Sequence, residues 1–194
     1  MKKILLSLLL LSPILTFTSS ATDVALKTNV ISDAMANINI GGEIRVAPKW
    51  SVELTGDFNF WTLSQQKKWR HWIAMPEARY WLCEAMGGHF FGLHLIGGEY
   101  NIGKLNLPVN FLGTDFHRLR DSRFQGWMAG AGIGYGYSWL LHKHWSIEAE
   151  IGIGWVYSRY DRYECDGCGR KVESNRVHNY VGPTKAAINL VYVF

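Results

Sequence analysis

Few residues in this chain have the types and spacing for chemistry. Cys165 and Cys168 flank Asp166-Gly167. Asp-Gly favours a tight turn, which brings the first and fourth Cα atoms within about 7 Å. That approaches disulfide range, and an oxidising compartment would close the bond. A local Cys165–Cys168 disulfide is the favoured expectation. A metal knuckle is the next reading, but one CxxC is half a site and would need His178 or His117 to complete it. Free thiols are the third reading, and Cys83 is left odd. Glu173, Ser174 and His178 lie close in sequence and offer an acid, a nucleophile and a base, without a characteristic spacing. His89, His94, His142 and His144 scatter and read as structural or solvated. No catalytic residue, metal ligand or cofactor is assigned.

The elements that would position these residues read as strands. Eight segments alternate at period two. The first sets Val24, Leu26 and Thr28 against Ala25, Lys27 and Asn29. The second sets Ile38, Ile40, Ile44 and Val46 against Asn39, Gly41, Glu43 and Arg45. The third sets Trp50, Val52, Leu54 and Phe58 against Ser51, Glu53, Thr55 and Asp57. The fourth, about residues 69–82, sets Ala78, Tyr80 and Leu82 against Glu77 and Arg79. The fifth, about 89–103, is expected to slip phase at Gly97-Gly98 through a bulge. The sixth and seventh set bulky apolar residues, from Trp127 to Trp139 and from Trp145 to Tyr157, against glycines, serines, Glu148 and Glu150. The last sets Ala186, Ile188, Leu190, Tyr192 and Phe194 against Lys185 and Asn189.

Volume decides which face is outside. An eight-stranded barrel is just wide enough inside for side chains to fill. The set of glycines and polar residues fits there, whereas the set rich in Trp, Tyr, Phe and Ile does not. The expected fold is therefore an all-β, eight-stranded antiparallel transmembrane barrel with short periplasmic turns and longer external loops. A strand ending on an aromatic residue at the C-terminus also resembles the assembly signal of bacterial outer-membrane barrels. The connections at 47–49, 83–88 and 141–144 are short. Those at 61–68, 104–123 and 161–177 are long, and the one at 31–36 is a short external loop. Cys83 then lies on the side opposite Cys165 and Cys168. Pro76 and Pro183 each remove a ladder hydrogen bond, so a bulge or strand end is expected at both.

In that phase the lumen holds Lys27, Arg45, Arg79 and Lys185 with Glu43, Glu53, Asp57, Glu77, Glu148 and Glu150. Opposite charges packed together would satisfy one another, because unpaired buried charge is costly. A plug of ion pairs is the expectation; a narrow cation-preferring channel is the alternative. The external loops are basic, with Lys67, Lys68 and Arg70 in one, Arg118, Arg120 and Arg123 in another, and Arg170, Lys171 and Arg176 in the third. Such side chains suit anionic ligands.

Export is read from the other end. Lys2 and Lys3 precede an apolar run over residues 4–11, and Ser19 and Ala21 form a small-residue cleavage site, the pattern of a signal peptide over residues 1–21. Residues 22–194 then form one domain in the outer membrane. Losing two lysines leaves 18 basic residues against the 16 acidic ones, which argues against a nucleic-acid partner. No later segment is apolar enough for a spanning helix.

Lys27-Thr28-Asn29, Pro76-Glu77-Ala78-Arg79-Tyr80-Trp81, Gly88-His89-Phe90-Phe91-Gly92-Leu93-His94, Cys165-Asp166-Gly167-Cys168-Gly169 and Gly182-Pro183-Thr184-Lys185-Ala186-Ala187 resemble the motifs of domain of unknown function 3575. That family is found mainly in bacteria of the Bacteroides group. The resemblance covers the mature chain and implies an outer-membrane barrel, with no established activity to carry over. Some members resemble products encoded beside fimbrial genes. The expected function is a non-enzymatic barrel whose loops serve surface assembly, adhesion or envelope maintenance. Its expected partners are outer-membrane lipid, lipopolysaccharide and a surface protein or pilus subunit. The alternative is a lipid A-modifying enzyme, for which Glu173, Ser174 and His178 would be the residues.

Overall fold

The structure is a computed structural model that describes residues 23–61, 68–103, 110–111, 114–115, 122–164 and 169–194. Residues 1–21, Lys67, Arg118, Arg120, Cys165 and Cys168 lie outside the described residues, as does the side chain of Lys68. In chain order the elements are β1 (Val24–Asn29), α1 (Val30–Ala34), β2 (Ile38–Ala47), β3 (Trp50–Asn59), β4 (Lys68–Trp81), β5 (Gly88–Gly103), β6 (Asn110–Phe111), β7 (Thr114–Asp115), β8 (Ser122–His142), β9 (Trp145–Glu164) and β10 (Lys171–Val193). Strands β6 and β7 pair only with each other. The other eight close into one ring, in the order β1-β10-β9-β8-β5-β4-β3-β2, and every pairing is antiparallel. Strand β1 closes it against the C-terminal strand, with Leu26 opposite Tyr192 and Thr28 opposite Leu190.

Alternation sorts the side chains by face, since successive Cβ atoms point to opposite sides. Large apolar residues lie outward on every strand of the ring. Ile40 is 58% exposed, Leu93 59%, Ile133 61% and Ile151 71%. Charged residues lie inward, where Glu43, Glu53 and Arg79 are fully buried. This reverses the usual distribution of a protein dissolved in water. Aromatic pairs lie at both ends of the apolar zone. Trp50–Tyr80, Tyr137–Trp139 and Trp145–Tyr192 lie at the end of the short turns, and Trp127–Tyr157 at the other. Among the described residues no helix is long and apolar enough to cross a membrane.

Three expectations from the sequence are corrected. Strand β5 does not slip at Gly97-Gly98: its register is unbroken against β8 and unchanged on either side of the pair against β4. Glycines carry no side chain, so they had blurred the alternation without shifting it. Pro76 causes neither bulge nor strand end. It sits opposite Leu54 in an unshifted β3–β4 register, and the β4–β5 pairing, which lapses after Ala74, resumes at Glu77 in the same register. Residues 161–177 are not a long loop. Strands β9 and β10 continue through most of them, with irregularities between Lys171 and Glu173 and between Glu173 and Arg176. At Pro183 the strand does bulge, between Pro183 and Lys185.

The short 30–36 connection holds a single helical turn. Asn29 caps it by accepting from the Ile31 amide at 3.1 Å, which satisfies one of the orphan donors at a helix start.

Candidate functional site

Among the described residues, buried charge gathers in the lumen. Glu43 faces Glu53 across β2–β3, and Glu53 faces Glu77 across β3–β4. Three carboxylates directly opposed would repel one another. They are held by cations arriving from around the ring. Arg79 is the hub. Its guanidinium reaches Glu43 at 3.1 Å, Glu53 at 2.8 Å, Glu77 at 2.6 Å, Glu148 at 3.0 Å and Glu150 at 2.8 Å. Lys27 pairs with Glu43, with Glu53 at 2.9 Å and with Glu148 at 2.7 Å. Lys185 pairs with Glu53 at 3.2 Å, Glu77 at 2.6 Å and Glu150 at 2.9 Å. A planar guanidinium with five donors can serve several carboxylates at once, which a lysine cannot match.

Glycines on neighbouring strands make room for these side chains. A Cβ added at Gly92 would stand 2.6 Å from Glu77 Oε1, and one at Gly134 would stand 2.7 Å from Glu150 Oε1. At Gly152 it would meet Lys185 Cβ at 3.1 Å. Glycines of β5, β8 and β9 thus leave room for charged side chains of the strands beside them, Glu77 of β4, Glu150 of β9 and Lys185 of β10.

Two residues of the expected network stand apart from its centre. Arg45 lies at the short-turn rim, paired with Asp23 at 2.8 Å and near Glu84 at 3.6 Å. Asp57 lies at the far mouth, where it meets His71 Nε2 at 2.7 Å, Asn39 Nδ2 at 3.0 Å and the Ser32 hydroxyl. Both residues share the inward phase of the cluster. Phase fixes the side of a strand, whereas height along the axis depends on the stagger of the ring.

Other buried side chains flank the charged cluster on both sides along the lumen. Towards the short turns, Trp81, Phe90 and Ala85 form a buried apolar cluster. Trp81 donates to Ser51 Oγ at 2.7 Å, and the Arg79 guanidinium lies 4.4 Å from the Phe90 ring centre. Towards the far mouth, His94 Nε2 meets Thr184 Oγ1 at 2.8 Å, and Ile96 and Val156 are buried above it. The sequence reading phases His94 with the polar, inward set, and the structure buries it there; Trp81 and Phe90 are further parts of the filling that it does not single out. Their inward phase was the available signal.

The basic residues of the far end fare differently from one another. Lys171 binds Asp161 at 2.7 Å, and this hydrogen bond holds the Asp161 carboxyl below its usual range and the Lys171 ammonium above its own. Arg176 binds Glu173 at 3.1 Å, and Arg123 stacks over Tyr163 at 4.4 Å. Arg170 is exposed. Glu173 is also held by Arg162 at 3.1 Å. Cys83 is a free, exposed thiol in the turn between β4 and β5.

The family model described as "Protein of unknown function (DUF3575)" matches residues 5–194. The chain belongs to the DUF3575 family. No curated protein and no solved structure matches it. Family membership brings no activity with it, so any function has to be argued from the geometry above.

Proposed function

We propose that this chain is an outer-membrane barrel with a permanently filled lumen, whose work is done by the elements it displays at the cell surface. The observation that carries the reading is the inverted distribution of side chains: bulky apolar residues around the whole outside, ion pairs within. A belt of that extent is far beyond the patches a soluble monomer exposes. The strand from Trp127 to Trp139 runs about 40 Å at ~3.4 Å per residue. At a tilt of about 40° this covers roughly 30 Å along the membrane normal, the thickness of the hydrocarbon core.

The filled lumen supports a scaffold over a channel. A conducting path would have to pass Arg79 and its five carboxylates and then the Trp81–Phe90 cluster. The displayed parts are the 104–121 connection and the protruding β9–β10 hairpin. Loops on a rigid wall carry binding more readily than the wall does, so we assign surface assembly, adhesion or envelope maintenance to them.

In the test, the purified outer-membrane protein migrates faster on a gel before boiling than after it, and planar-bilayer recordings show no discrete conductance. Affinity capture from outer membranes then recovers a partner with the full chain and loses it when residues 104–121 are deleted. Steady unitary currents, or equal capture by both forms, would overturn the reading.

A further inference from the structure

The far mouth of the lumen holds a cavity of about 570 Å³. One inward row lines it. Asn59, His71, Tyr100, Gly126 and Tyr160 are successive cross-strand partners from β3 to β9, and Asn175 of β10 borders the same space. The next inward row towards the charged cluster runs through Asp57, Ile73, Gly98, Met128 and Ser158. Ile96 and Val156 are buried one level further down. Aromatic, amide and imidazole groups thus line the mouth, and mainly apolar residues back it.

Most of this lining is held in place by its own bonds. His71 Nε2 meets Asp57 at 2.7 Å, and Asp57 accepts from Asn39 Nδ2 at 3.0 Å and from the Ser32 hydroxyl. Asn59 donates to Asn37 Oδ1 at 2.7 Å. The Tyr100 and Ser158 hydroxyls bond at 3.2 Å. Gly126 stands between Tyr100 and Tyr160, where a Cβ would lie 2.8 Å from Tyr160 Cβ, so glycine keeps the gap between the two tyrosines open. Other hydrogen-bonding edges are unspent. Among the described residues, His71 Nδ1, the Tyr160 hydroxyl and the Asn175 side-chain amide have no partner. Tyrosine and amide groups are neutral, and any charge on His71 is matched by Asp57 beside it. The charged residues that border the cavity are outward in phase and balanced, Arg70 and Arg159 against Glu99 and Asp161. This lining therefore has no excess of one sign with which to select an ion.

Neutral groups that both donate and accept, set beside aromatic rings, match the chemistry of a sugar. Its hydroxyls pair with such groups, and the C–H face of its ring packs on an aromatic surface. We propose that the far mouth binds a neutral saccharide, with Tyr100 and Tyr160 against its ring and His71 Nδ1, the Tyr160 hydroxyl and the Asn175 amide on its hydroxyls. The cavity falls within the about 300–1,000 Å³ of small-molecule sites and suits a mono- or disaccharide. A lining already held in shape loses little freedom on binding. The site itself needs only the fold; arrival of the sugar from outside the cell rests on the outer-membrane reading above.

The test mixes the full-length protein in detergent micelles with glucose, galactose, mannose, N-acetylglucosamine, lactose, maltose or glucuronic acid. Saturation-transfer NMR against empty micelles reads contact, and titration reads Kd. The wild type is expected to bind at least one neutral sugar, and to bind it more tightly than glucuronic acid. For that sugar Y160F and N175G should each weaken binding about two- to tenfold, the loss of one neutral hydrogen bond. Asn175 has a left-handed backbone, φ 56°, which glycine adopts freely, so N175G removes the amide without strain. K143A, in the turn at the other end, should bind like the wild type. Contact with no neutral sugar, or equal binding by the wild type and both lining variants, overturns the saccharide site. Tighter binding of glucuronic acid than of any neutral sugar overturns it in favour of an anion site. Failure of the protein to fractionate with outer membranes instead overturns the membrane reading and leaves the saccharide site standing.

Discussion

Arg79→Leu is expected to destabilise this barrel more than any other single change in the lumen. Among the described residues, the substitution leaves Glu43, Glu53, Glu77, Glu148 and Glu150 with Lys27 and Lys185 as their lysine partners. Breaking a buried pair by removing one partner costs about 3–5 kcal/mol, because the charge left behind is neither hydrated nor compensated. Here one residue serves five carboxylates, so the loss should lie at or above the top of that range. Arg79→Lys keeps the charge but loses the planar fork and should fall between wild type and leucine. Urea unfolding of the protein in lipid vesicles, followed by tryptophan fluorescence, reads both. An Arg79→Leu barrel as stable as the wild type would mean that water, and not the guanidinium, satisfies these carboxylates.

The second large effect separates two neighbouring glycines. Gly98 faces inward, and a Cβ there would collide with the Trp72 carbonyl oxygen and stand 2.9 Å from Ile73 Cα. Both obstacles are backbone, so no flexible side chain can yield. Gly98→Ala should cost at the upper end of the about 1–3 kcal/mol typical of overpacking and slow folding into vesicles. Gly97 faces outward with nothing within 4 Å of an added Cβ. Gly97→Ala should be neutral or stabilising by up to about 1 kcal/mol, since alanine lowers the entropy of the unfolded chain. The same unfolding measurement decides it. Equal effects at both positions would contradict the assigned faces of β5.

These predictions show what the sequence made legible. Period two identified the strands, and the bulk of Trp127, Tyr135, Ile151 and Trp155 against the glycines beside them identified the outside. Convergence on Arg79 was not legible, because it depends on register, and Arg45 and Asp57 share its phase yet sit at opposite ends. The β9–β10 extension was not legible either. Residues 161–177 are polar on both faces, so they show no alternation. Residues 161–164 and 171–177 are strand nonetheless, and Asp161–Lys171 and Arg162–Glu173 tie the two strands across.

The central claim is that the sheet crosses the outer membrane with the short turns inside. A membrane-impermeant maleimide tests it on intact cells. Cys83 in the β4–β5 turn is a native probe at one end, and Ser174→Cys, made in a background with Cys165 and Cys168 changed to serine, places a probe at the other. The expected result is labelling of position 174 on intact cells, with Cys83 labelled only after the outer membrane is opened. Labelling of both positions on intact cells, or of neither with the protein recovered from the soluble periplasm, would contradict it.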